Sequence, residues 1–530
     1  MDAQRGIARR MVIGLPPDGL SPAWERDFAA YPPAGVILFG RDFRDLDDLR
    51  RLTSRLRELA RPRRIFIATD EEGGFVSQLS PHLVVPPNAA LLARGAAPGE
   101  IEWAHTVTAA RLRALGLDWD FAPVADIHSS PLNPVIGPRA FGTDAAAVAA
   151  RVGEALRGLR AGGVASCLKH FPGHGDTALD SHLALPSCDA DRERLERREL
   201  APFRAHLEAD SVMTAHVVYP ALDPERPATF SRTIVHDLLR TRLGFEGVCI
   251  TDALEMKGAA AGREPAEVAR LALDAGCDLL LFAWYDETVR RARLDLAKSL
   301  VDGKLERASF DAARPRLERL DRERPEPDAA SLARPLDSLT PPDWQARLEG
   351  IAERGLVVRG ALPPDAASRP WHVSEPGARH GPRLSDLLAD QGLAIQPGSP
   401  ETAGDAAEPV GAAPVTGERE PARVAARAKS MGRAKRAPAA SRGASPAPIE
   451  LIAIASRTPL PAEEIERLRA RCRERTVALV ALQSDAFLDA VPEAALRLSA
   501  CDGTPVTRRV VARTIAARLR EASTPREVRT

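Results

Sequence analysis

Apolar positions in the first 310 residues fall into short unbroken runs separated by longer stretches of helical period. The runs lie at 11–15, 35–39, 64–69, 117–122, 164–169, 211–216, 247–251 and 277–282. Between them, stretches such as 46–59, 145–159, 191–207 and 265–275 repeat apolar residues at three- and four-residue intervals, as a helix with one buried face does. Asp189 and Asp191 suit the N-cap of the third of these. Continuous apolar strands alternating with helices predict a parallel sheet covered on both faces. Eight such units in this length predict an α/β fold, a TIM-like (β/α)8 barrel. A doubly wound sheet gives the same alternation, but no Gly-x-Gly-x-x-Gly follows the first run.

The barrel reading makes a demand: reactive side chains should gather at the C-terminal ends of the strands. The third run leads into Asp70-Glu71-Glu72-Gly73-Gly74. The fifth ends in Lys169-His170, the sixth at His216, and the seventh leads into Asp252. After the fourth run comes Asn133-Pro134-Val135-Ile136-Gly137-Pro138-Arg139. The densest cluster is 168–186, with Lys169, His170, His174, Asp176, Asp180 and His182, and with Gly173 and Gly175 flanking His174. Ionisable side chains on a glycine-rich loop after a buried strand suit chemistry better than packing.

Beyond residue 310 the pattern loosens. Residues 322–343 are rich in Pro, Arg and Asp. The expected division is a catalytic barrel over 1–320, a linker over 321–345 and a smaller α/β domain over 346–530. Strands are expected at 355–360, 371–374, 449–455 and 476–482. Residues 398–448, dominated by Ala, Pro, Gly and Arg, are expected to be disordered. Arg423, Arg427, Lys429, Arg433, Lys435, Arg436 and Arg442 lie in that insertion. They lack the interleaved aromatics that stack on bases, so a solvated tether is the simpler reading.

Composition narrows the class further. Basic and acidic residues balance at 73 each, so no global field favours nucleic acid or an anionic membrane. The six cysteines are scattered singly, and Cys167, Cys249 and Cys277 sit in apolar runs, as buried thiols of a reducing compartment do. The first twenty residues hold no apolar core of signal-peptide length, and no run approaches a membrane span. A soluble cytoplasmic protein is expected.

The His/Asp loop admits three uses. His170, His174, Asp180 and His182 could ligate a metal, although their spacing matches no common zinc motif. The histidines could instead satisfy loop backbone groups. Or one histidine could be a general acid/base oriented by a carboxylate. Asp180 and His182, two apart, share a side of an extended loop. A general acid needs a partner across the pocket. Asp252, after Val248-Cys249-Ile250-Thr251, is the best placed. It could be a nucleophile, a metal ligand, or a cap for a helix over 253–261. Nucleophile plus acid/base is the arrangement of retaining glycoside hydrolysis.

Residues 169–186 closely resemble the signature of bacterial β-N-acetylglucosaminidases (β-N-acetylhexosaminidases) of glycoside hydrolase family 3. Residues 70–76, 133–142, 211–220 and 244–256 resemble further blocks of that family, in its order, and the likeness spans roughly 8–310. The resemblance implies that Asp252 attacks the anomeric carbon, that His182 is the acid/base, and that Asp180 orients it. It implies that Asp70, Arg139, Lys169 and His170 hold the N-acetylglucosamine ring, while His174 shapes the loop. It implies no metal and no organic cofactor. The implied partner is a small carbohydrate, a peptidoglycan-derived muropeptide cleaved during cell-wall recycling, and neither nucleic acid nor membrane.

An imidazole acid/base does not repel an incoming anion as a carboxylate does, so phosphorolysis at the same site is an alternative. A catalytically silent sugar-binding relative is another. A glucosidase is disfavoured, because that branch of the family generally lacks the histidine loop. The chain departs from the family pattern at Gln78, where an arginine usually contacts sugar, and at Ala253, where a second aspartate is common. Gln78 keeps hydrogen-bonding capacity without the charge and is expected to contact the sugar in the arginine's place. The C-terminal half resembles a shortened, divergent form of the α/β domain some members attach, and no catalytic residue is assigned there.

Overall fold

The computed structural model describes residues 2–178, 185–260, 262–305, 307–375, 382–397 and 447–523. Asp180 and His182 lie outside the described residues, as does 398–446 of the segment expected to be disordered.

Each of the first eight apolar runs supplies one strand. These are β1 (Met11–Ile13), β2 (Gly35–Ile37), β3 (Phe66–Thr69), β4 (Trp119–Asp120), β5 (Cys167–Phe171), β6 (Ser211–Thr214), β7 (Val248–Ala253) and β8 (Leu279–Phe282). All pair in parallel, in the order β4-β3-β2-β1-β8-β7-β6-β5. Bridges from Trp119 to Ala165 and from Val124 to Lys169 join the two ends into a barrel. Phe66, Trp119, Phe121, Met213, Ile250 and Leu281 fill the interior, and Leu320 packs against the same cluster. A second shell of apolar side chains lies between strands and helices. Burial on both faces is why the runs are continuous rather than alternating.

The two ends of the barrel are built differently. At the N-terminal ends of the strands, buried Asp278 accepts hydrogen bonds from Arg240 and Arg316, and Asp118 from Arg57 and Arg64. These pairs take up buried charge in structural contacts. The C-terminal ends carry the residues of the candidate site.

A second sheet holds β9 (Val357–Gly360), β10 (Trp371–Ser374), β11 (Ile395–Pro397), β12 (Ile449–Ile454), β13 (Val477–Ala481) and β14 (Leu496–Ser499). Its order is β9-β14-β13-β12-β10-β11, parallel except where β9 runs against β14. Trp371, Leu451, Val480 and Leu498 form its core with Ile515 and Leu519 of the helix Pro505–Ser523. The helix Trp344–Gly355 docks this unit onto the barrel helix Ala89–Gly95. A Cβ at Gly95 would lie 1.9 Å from the Ile351 carbonyl oxygen, so glycine permits that close crossing. Trp344 Nε1 donates to Val84 O at 2.8 Å.

Strands β11 and β14 and a hairpin (Val218–Tyr219 with Asp223–Pro227) were not expected from sequence. The hairpin's second arm, Asp223-Pro224-Glu225-Arg226-Pro227, has no apolar pattern to mark it. All six cysteines are free thiols, five of them buried. Among the described residues no helix is long and apolar enough to cross a membrane.

Candidate active site

Asp70 follows β3 directly and Lys169 lies within β5, so the topology carries both to the C-terminal end of the barrel. Lys169 is buried, and its Nζ donates to Asp70 Oδ1 and to Glu72 Oε1, each at 2.6 Å. Glu72 in turn accepts two hydrogen bonds from Arg139, at 2.8 and 2.7 Å. Arg139 ends a single helical turn, Gly137–Arg139, in the loop after β4.

Two carboxylates and two cations are thus interlocked. Burial alone would raise Glu72, but Arg139 and Lys169 outweigh it and hold its carboxyl near 2. Burial would equally lower Lys169, yet Asp70 and Glu72 keep its ammonium above the ordinary lysine value. Asp70 is the more open carboxylate, its side chain 22% exposed against 6% for Glu72.

His170 is fixed from behind. Its Nδ1 meets Asp126 Oδ2 at 2.6 Å, and its backbone N–H donates to Asp126 Oδ1 at 3.0 Å. Asp126 also accepts from the His174 N–H at 2.7 Å. One buried aspartate therefore pins both the imidazole and the following loop. Burial works against the charge of Asp126, but His170 outweighs it and keeps the carboxyl below its usual range. His174 is buried, with Nδ1 3.1 Å from Thr177 Oγ1. Burial and then repulsion from His170 lower it to about 4, so it is neutral at pH 7.

Asp252 lies near the C-terminal end of β7, half-buried, and its Oδ1 accepts from the Ala253 N–H at 2.8 Å. Its negative charge acts on His174, opposing the fall in that imidazole's pKa. Strand β6 stops at Thr214, so His216 sits in the following loop. His216 Nε2 is 3.0 Å from Ala253 O and Nδ1 is 2.8 Å from Thr229 Oγ1. Because a carbonyl only accepts, Nε2 carries hydrogen and ties this histidine to the residue after Asp252.

Gln78 has an internal task. Its Oε1 accepts from Gly40 N at 2.8 Å and its Nε2 approaches Asp70 O at 3.4 Å, joining the loops after β2 and β3. Glu71 is buried and accepts from Ser77 Oγ, Gln78 N and Leu79 N. Burial pushes Glu71 up to about 7 against those hydrogen bonds. Asp120 accepts from Glu71 N at 3.0 Å, and burial holds its carboxyl well above the usual range.

The structure brings Asp70, Arg139, Lys169 and His170 to one end of the barrel together with Asp252. Sequence reasoning assigned no role to Glu72 or Asp126. Glu72 stood beside Asp70 in the acidic turn but carried no mark separating it from Glu71. Asp126 follows the apolar run 121–125, the same strand-end signal that marked Asp252. Among the described residues no group of three or more His, Cys, Asp or Glu side chains could hold a metal ion.

Residues 24–320 match the glycosyl hydrolase family 3 N-terminal domain. The chain belongs to glycosyl hydrolase family 3. It is 39% identical to a protein of Chromobacterium violaceum named beta-hexosaminidase, over 58% of this chain and 90% of the relative. It is 41% identical to one of the same name from Methylococcus capsulatus, over 48% of this chain and 78% of that one. A family 3 beta-N-acetylglucosaminidase from Paenibacillus sp. str. FPU-7 superposes with a TM-score of 0.80 at 27% identity, covering 97% of this chain and 96% of that one. Family 3 membership and the barrel fold agree with the resemblance read from residues 169–186.

Proposed function

We propose that this chain is a retaining, exo-acting β-N-acetylglucosaminidase whose nucleophile is Asp252. The observation that carries the reading is the half-buried Asp252 at the mouth of a barrel whose same end holds the Lys169–Asp70–Glu72–Arg139 network. The names of the family 3 relatives support the substrate class.

In the first step an Asp252 oxygen bonds to the anomeric carbon as the glycosidic bond breaks. His182, oriented by Asp180, gives its proton to the leaving oxygen. In the second step the neutral imidazole takes a proton from water, which displaces Asp252 with a second inversion. Two inversions retain the β configuration.

The network has a part in both steps. Glu72 is enclosed by Lys169 and Arg139, whereas Asp70, paired with Lys169 through one oxygen, stays open enough to accept from sugar hydroxyls. Lys169 gives two of its three hydrogens to Asp70 and Glu72 and keeps one for a sugar oxygen. Preorganised donors and acceptors of this kind strengthen as charge develops on the ring. His170, backed by Asp126, offers its other ring nitrogen.

For the leaving group we propose the muramic acid of a soluble muropeptide, handled in the cytoplasm. The likeness of residues 169–186 to the bacterial signature supports that choice, and six free thiols fit a reducing compartment. The test is release of chromophore from a β-N-acetylglucosaminide, with and without phosphate, by wild type and Asp252→Ala. Phosphate-independent release lost in the variant is the expected result. No release by wild type would overturn the enzyme reading. A phosphate requirement with a sugar 1-phosphate product would replace hydrolysis by phosphorolysis.

A further inference from the structure

We infer that Asn88 and Asp502 form a brace through which the C-terminal domain positions the turn that presents Glu72, making Asn88 a positioning residue for the Glu72–Lys169 pairing that holds the sugar-binding Asp70. The inference rests on the glycosidase reading of the barrel mouth.

The turn begins at the network itself. Glu72 N donates to Val76 O at 3.0 Å, and Gly74 N donates to Pro86 O at 2.8 Å. Gly73 and Gly74 both take positive φ, +85° and +60°. Val76 N donates to Gly73 O at 3.2 Å, closing the turn around Phe75. The Phe75 N–H donates outside the turn, to Asn88 Oδ1 at 3.0 Å. Asn88 is 2% exposed and faces the other domain: its backbone N–H donates to Asp502 Oδ1 at 3.1 Å, and its Nδ2 to Cys501 O at 2.9 Å. One buried amide thus joins the turn to the loop after β14.

The far side of the brace is rigidly made. Asp502 is fully buried, and its other oxygen accepts from the hydroxyls of Thr504 and Thr507 and from Thr504 N. Cys501 is, among the described residues, the non-glycine with positive φ, at 49°. That conformation is uncommon for a side chain bearing Cβ, and it is held where the carbonyl meets Asn88. A second contact reaches the same turn: the Arg457 guanidinium, just beyond β12, lies 5.3 Å from the Phe75 ring centroid. The fit is close, since a Cβ at Gly74 would stand 1.6 Å from Asn88 Oδ1.

Two variants of the full chain test this, read by hydrogen exchange and by kinetics. Asp502→Ala removes the acceptor for Asn88 N. Asn88→Asp keeps the acceptor for Phe75 N but loses the donor to Cys501 O, and it decides the matter if Asp502→Ala fails to fold. Exchange at the Gly74 and Phe75 amides should quicken about ten-fold or more, with β1 unchanged. KM for a chromogenic β-N-acetylglucosaminide should rise roughly 3- to 10-fold, with a smaller change in kcat. Unchanged exchange at residues 74–75 in a folded variant would overturn the brace. Quickened exchange with wild-type KM would overturn the positioning role. Quickened exchange in a chain whose wild type cleaves nothing would leave the brace standing and count against the glycosidase reading alone.

Discussion

The barrel and the C-terminal sheet follow one architectural rule and put it to different uses. In both, parallel strands deliver polar residues at their C-terminal ends. At the barrel mouth Lys169 and Arg139 stand charged against Asp70 and Glu72, and His170 is held by Asp126. At the ends of β12 and β14 they are Arg457, Cys501 and Asp502, turned towards the barrel. The Asp502 carboxylate is enclosed by hydroxyls and backbone, which is a fastening rather than a reactive centre. The Chromobacterium relative matches over 90% of its own length but 58% of this chain. A protein of about the barrel's length thus bears the hexosaminidase name, and in this chain a second domain contacts the turn after β3 through Asn88.

The contrast breaks most visibly at Asp252. Replacing it with Ala should lower kcat by about 10³-fold or more, measured by initial rates, because the proposed nucleophile is lost while the fold is kept. An equal loss from any residue beyond 346 would erase the distinction between the two regions. Glu72→Gln comes next. It strips Lys169 and Arg139 of a shared buried counter-charge, so kcat/KM should fall on the order of 10²-fold. Stability should drop by about 3 kcal/mol in denaturant unfolding, within the range for removing one partner of a buried pair. The Asp502→Ala effect on KM is smaller, roughly 3- to 10-fold, because it acts through Asn88.

The smallest effect is on pH dependence. His174 is lowered to about 4 in the folded chain from an ordinary 6.5. Between those values the unfolded chain takes up a proton that the folded chain refuses, so stability falls as pH drops through that window. His174→Gln should therefore flatten the decline in thermal midpoint between pH 6.5 and 4. An unaltered slope would assign that decline to other groups.

Much of this arrangement was legible in the sequence. Continuous apolar runs located all eight barrel strands, because burial on both faces leaves a strong and local signal. The placement of Asp70, Lys169, His170 and Asp252 at one end of the barrel was legible because each follows or ends such a run. What the runs could not reveal was pairing across the barrel. Glu72 differs from Glu71 only in which way its side chain turns, and that depends on Arg139, 67 positions away. The bonds of the Gln78 amide to Gly40 and Asp70 are likewise set by loop geometry. The Asn88–Asp502 contact spans 414 residues and two domains, with no motif at either end. Asp180 and His182 lie outside the described residues, so their roles stand as the resemblance implies them.

The central claim is that Asp252 forms a covalent bond to the sugar. A slow fluorinated N-acetylglucosaminyl donor, followed by peptide mass mapping, tests it directly. The account predicts one glycosyl adduct on the peptide containing Asp252, absent from Asp252→Ala. An adduct on a different carboxylate, or turnover with inversion at the anomeric carbon and no adduct, would contradict it.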